Sequence, residues 1–120
     1  MENLDLACAR CGRKMAAKVN ENLLTNALGI LEAQGVYAFF LFMEQKRTGR
    51  QPHPVTAACM KFLQSHPKDK PLMDKAEDAL EAVSRLAENL DNLLLAHQLL
   101  CRTLVYARHH AKLGEPESPS

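Results

Sequence analysis

From Leu72 to Leu113 the chain contains neither proline nor glycine, and no other stretch constrains the fold as much. The series Met73, Ala76, Leu80, Val83, Ala87, Leu90, Leu94, His97, Cys101 and Leu104 steps by three and four throughout. That is the period of one face of an α-helix, repeated as a heptad-like seam. Up to Leu90 it is a narrow stripe on an acidic segment, suited to a single neighbour. Beyond Leu93 the apolar surface spreads to Leu95, Leu99, Leu100, Val105 and Tyr106, which predicts burial on several sides. Asn89, Asp91 and Asn92 favour caps over helix interiors, so a bend or break is expected there.

The remainder reads as helix of the same kind. Leu4 to Val19 carries Leu6, Met15, Ala16 and Val19 among charged residues. Asn20 can cap a second helix that runs through Leu23, Leu24, Ala27, Leu28 and Leu31. Gly35 either closes that helix or sits inside a longer one. The apolar run Val36 to Met43 fits a buried strand or a buried helix by period alone. Helix is the reading here, because Glu44-Gln-Lys46 continues it and no partner strand exists elsewhere. TGRQPHP, from Thr48 to Pro54, is a loop, and Pro54 suits the first turn of a helix whose inner face is Val55, Ala58, Cys59, Phe62 and Leu63. HPKDKP, from His66 to Pro71, breaks the chain again, and Glu115 to Ser120 reads as a disordered tail. The expected fold is all-α, a compact bundle of five to six helices in one domain over residues 1–113, with a long C-terminal helical segment. A chain of 120 residues supports one such core.

Several function classes drop out. The longest apolar run, Val36 to Met43, falls well short of the roughly 20 residues of a membrane span. The N-terminus MENLDLACARCGRK lacks the apolar stretch of a secretory signal, so a cytoplasmic, reducing setting is expected. Cys8, Cys11, Cys59 and Cys101 are then free thiols, with Cys59 and Cys101 packed as small core residues. Cys8-Ala-Arg-Cys11 followed by Gly12 has the spacing of half a zinc site, yet no second close pair completes it. A redox use of that motif would want a βαβ context, which is missing. His97 lies among leucines and reads as a core histidine. Glu77, Asp78 and Glu81 fall on an outward helix face, and the five glycines are too scattered for a phosphate loop. No catalytic residues, metal or cofactor are expected, nor a small-molecule substrate. The chain reads as a non-enzyme.

Charge is more informative. The net value is +1, but residues 44–70 carry +4 and residues 71–95 carry −4. Such segregation steers partners better than the total implies. Arg10, Arg13, Lys14 and Lys18 recur at helical spacing, which predicts one basic face on the first helix. Lys46, Arg47 and Arg50 cluster at a helix end and loop, while Arg102 and Arg108, with Lys112, lie along the last helix. Faces of this kind attract phosphates through Coulomb forces and counterion release, without reading sequence. Aromatic residues make up only 5% with no Trp, so base-stacking platforms are poorly supplied.

Two stretches carry a resemblance. The first is Ile30-Leu-Glu-Ala-Gln-Gly35-Val-Tyr-Ala-Phe-Phe-Leu-Phe42-Met-Glu-Gln-Lys46, in which Gln34-Gly35-Val36 stands at an Asn-Gly-Leu-like step before an Ala/Leu/Phe-rich run. The second is Ala96-His-Gln-Leu-Leu-Cys-Arg-Thr-Leu-Val-Tyr106-Ala-Arg108-His-His-Ala111, where Val105-Tyr106 occupies the region of an aromatic pair followed by a basic residue and Ala. Together they resemble the small helical subunit of type III CRISPR RNA-guided effector complexes. The resemblance implies a non-catalytic subunit in several copies, stacked head to tail beside larger subunits. It also implies contact with the guide and target RNA backbone, with cleavage left to other subunits. The alternative is a helical protein–protein adaptor or homo-oligomer that binds no nucleic acid and uses the Met73–Leu104 seam.

Overall fold

In the computed structural model, which describes residues 2–75 and 78–114, every regular element is a helix. They are α1 (Leu4–Ala16), α2 (Glu21–Gln34), α3 (Val36–Gln45), α4 (Pro54–Ser65), α5 (Ala79–Leu86) and α6 (Leu90–Leu113). Most begin where a short polar side chain can accept a backbone N–H that the helix itself leaves unpaired. Asn3 accepts from Leu6 at 2.9 Å, Asn20 from Leu23 at 2.8 Å, Asp78 from Leu80 at 3.0 Å and Asn89 from Asn92 at 3.0 Å. At α4, Pro54 supplies the first turn and the ring nitrogen Nδ1 of His53 accepts from Val55 at 3.1 Å. Burial lowers the pKa of that imidazole, which keeps the accepting lone pair free of a proton.

Gly35 settles the choice left open at the end of α2. Its φ of 100° is a conformation that side chains avoid, so the chain turns there and α3 starts at the next residue. Val36–Met43 is therefore helical, with Val36, Phe39, Phe40 and Met43 buried while Tyr37 and Leu41 are exposed. Phe39 and Phe40 meet edge to face, with ring centroids 5.0 Å apart.

One core runs through the bundle. Cys8, Gly12 and Met15 turn the inner face of α1 onto α6, which answers with Leu99, Leu100, Thr103, Leu104, Ala107 and Ala111. Thr103 is buried but satisfied, since its hydroxyl donates to the Leu99 carbonyl at 2.8 Å. α2 packs on α6 and α3, and α3 on α5 and α4.

Three expectations need correction. α1 stops at Ala16 rather than Val19, because the chain turns there with Lys18 N–H bonded to Met15 O at 3.0 Å. The turn lets Val19 pack against the core and leaves Lys18 off the helix. The Met73–Leu104 seam is not one continuous face. Met73 lies outside any helix, tied by its N–H to Leu63 O at 3.1 Å, and Ala76 falls outside the described residues. α5 ends at Leu86 and Asn89 caps a fresh helix, at the break expected there, but Leu90 and Leu94 project into solvent. Cys101 is half-buried rather than core, as are Leu95 and Tyr106, and Val105 is exposed. Asp78 caps α5 and Glu81 is exposed on it, whereas Glu77 and the tail from Glu115 to Ser120 lie outside the described residues. Among the described residues no helix is long and apolar enough to cross a membrane.

Candidate nucleic-acid interface

Of the nine basic residues singled out above, Arg10, Arg13, Lys14, Lys18, Lys46, Arg47, Arg50 and Arg102 are exposed and Arg108 is half-buried. They do not share one face. Arg10 and Lys14 line a groove between α1 and α4, joined there by Lys61 and His66. Arg13, a single residue before Lys14, turns instead into a cleft of about 620 Å³ at the C-terminal ends of α1 and α6, beside Asn20 and His110. Lys18 stands on the turn after α1. The single basic face predicted for the first helix is thus split between two neighbouring surfaces, because successive helical residues diverge by about 100° and α1 is flanked on both sides.

Among the described residues none of Arg10, Arg13, Lys14 and Lys18 enters an ion pair. The chain holds no carboxylate between Asp5 and Glu21, so that whole stretch is positively charged.

Three of the other five, Lys46, Arg47 and Arg102, have partners of their own. Arg47 pairs with Glu44 at 3.2 Å, and its Nε donates to Gly49 O at 3.3 Å. Lys46 sits 5.2 Å over the Phe42 ring. Arg50 lines a cleft that also holds Glu44, Arg47 and Asp78. Arg102 pairs with Asp5 at 3.6 Å, whose carboxylate also accepts the Tyr106 hydroxyl at 2.9 Å. The Arg108 Nε is buried with no partner among the described residues.

Lys61 was missed by sequence reasoning, although it occupies the same offset from Ala58 on α4 as Arg10 does from Ala7 on α1. The signal was present in the spacing but pointed nowhere until α1 and α4 were placed side by side.

The thiols and histidines show what else the molecule holds. Cys8 and Cys11 point apart, with Cys8 Sγ 3.5 Å from Leu99 O on α6 and Cys11 Sγ 4.0 Å from Ala58 O on α4. All four cysteines are free, and no group of three metal-ligating side chains comes together among the described residues. His97 Nε2 bonds to Leu31 O at 2.9 Å, and since a carbonyl only accepts, Nε2 carries the proton. Cys101 Sγ lies 3.9 Å from that ring. Burial, with the Glu32 carboxylate adding to it, pushes the Cys101 thiol up, opposite to the shift a nucleophilic cysteine needs. No family model matches the chain, and no curated protein or solved structure matches it significantly.

Proposed function

We propose that this protein is a non-catalytic small subunit of a type III CRISPR ribonucleoprotein, stacking in several copies beside larger subunits and touching the RNA backbone. The carrying observation is the stretch Arg10, Arg13, Lys14 and Lys18, four exposed cations with no carboxylate interspersed and no ion pair among the described residues. Unpaired surface cations gain most from phosphates, because nothing has to be broken before they bind. The all-α bundle and the two stretches of family-like sequence accord with the same reading.

Equilibrium binding of polyuridylate across a salt series tests it. Affinity is expected to fall steeply as salt rises and to depend little on base sequence. An affinity that is absent at low salt, or insensitive to salt, overturns the proposal. A second reading, a helical adaptor that binds no nucleic acid, is favoured by the exposed Leu90 and Leu94. It takes over if the purified protein binds a protein partner and no polyuridylate.

A further inference from the structure

The groove between α1 and α4 is built symmetrically. On α1 it is lined by Ala7, Arg10, Cys11 and Lys14, and on α4 by Ala58, Lys61, Phe62 and Ser65. Both sets fall at offsets of zero, three, four and seven, so the groove runs along two turns of each helix, about 10 Å. Its floor is small and apolar, and its volume of about 290 Å³ leaves room for two leucine side chains. Burial pushes the Cys11 thiol up to about 11, so the floor stays uncharged at neutral pH. The rim carries Arg10, Lys14 and Lys61, and no carboxylate lines it. At its far end His66 faces Glu2 at 3.9 Å.

This combination does not suit a nucleobase. The Phe62 ring is buried, with His66 stacked on one face at 4.3 Å and 20°, so it offers no open platform for a base. A phosphate backbone alone would leave the apolar floor wet. An occupant with apolar side chains flanked by acids satisfies both floor and rim, the helix-in-groove mode of recognition.

The chain itself presents such a segment. Leu90 and Leu94, one turn apart at the start of α6, are 65% and 53% exposed. Glu88 and Asp91 flank them, exposed and without ion pairs among the described residues. The neighbouring cation Arg85 is held by Glu81 at 3.2 Å, leaving the ridge net acidic. The rim takes Lys61 from the basic segment 44–70 and Arg10 and Lys14 from α1, whereas the ridge lies in the acidic segment 71–95.

We propose that the α1/α4 groove receives the Leu90–Leu94 ridge of a second copy of this chain. Different patches then meet at each contact, which lets copies add head to tail. The inference rests on the reading of a subunit that stacks with its own copies, and names the two faces that would do it; Arg10 and Lys14 then serve the stacking, and Arg13 and Lys18 are left to the RNA backbone.

Sedimentation velocity of the full chain at low ionic strength, without nucleic acid, tests it. The mass of the wild type should grow with concentration. Leu90→Ser with Leu94→Ser, both at exposed positions and so harmless to the fold, should weaken association at least tenfold. Lys14→Glu with Lys61→Glu should do the same, as should Glu88→Lys with Asp91→Lys, by setting like charges against each other. Combining the four charge reversals should restore association. A wild type that stays monomeric up to its solubility limit overturns the proposal, as do reversals that fail to rescue one another. Polyuridylate binding by the Leu90→Ser/Leu94→Ser chain separates the two readings. RNA affinity beside a monomeric wild type sinks the docking alone, whereas self-association without RNA affinity sinks the nucleic-acid reading and supports the docking.

Discussion

At Gly12 the backbone of α6 lies tight against α1. A Cβ at this position would lie 2.7 Å from Thr103 O and 2.8 Å from Ala107 N, both backbone atoms that cannot swing aside. Gly12→Ala is expected to lower stability by about 1–3 kcal/mol, the range for overpacking, read from urea midpoints. Gly29 is the contrast, since nothing lies within 4 Å of its added Cβ inside α2. Gly29→Ala should raise stability by about 0.5–1 kcal/mol. In the sequence Gly12 reads as the glycine behind a Cys-x-x-Cys pair, and its true neighbours lie more than ninety residues away. The cysteines set a second expectation at this scale. Burial raises the pKa of Cys8, Cys11 and Cys59, with Cys11 at about 11. Below the usual thiol range both folded and unfolded chains keep these groups neutral, so they leave stability unchanged. As pH climbs from about 9 towards 11 the unfolded thiols ionise first, and stability must fall. Urea midpoints between pH 8 and 10.5 should drop, and less so in a Cys11→Ala chain.

The caps explain where the elements start and also why one boundary was only partly legible. Asn20 was legible, because its amide lies directly before the first apolar residues of α2. Asn89 was legible only as a point of weakness. Leu86 closes the buried face of α5 and Leu90 opens α6 four residues later, so the break preserves the three-and-four stepping. Spacing alone cannot tell a continuous helix from two helices joined in phase. Asn89→Ala removes the acceptor for Asn92 N–H and is expected to cost about 1 kcal/mol, measured by chemical denaturation. Far-UV circular dichroism should change little, since the rest of α6 is held by its packing against α1 and α2.

For the whole molecule, the distribution of charge matters more than its sum. Arg13→Glu combined with Lys18→Glu should weaken polyuridylate binding about tenfold or more at low salt and flatten its salt dependence by about two phosphate contacts. Arg47→Glu with Arg102→Glu should weaken it less, because Glu44 and Asp5 already neutralise those guanidiniums. Equal losses in both pairs would mean that net charge alone governs binding. The sequence by itself determined the helical class, the cap at Asn20, the first turn at Pro54, the apolar run from Val36 to Met43 and the segregated charge. These follow from period, capping chemistry and composition, all local properties of the chain. Only the tertiary structure decided that Arg13 and Lys14 face different clefts, that Lys61 joins Arg10 and Lys14, and that Leu90 and Leu94 are left uncovered. A side chain's neighbours depend on which helix lies alongside, and that depends on contacts between residues far apart in the chain, which no local pattern encodes.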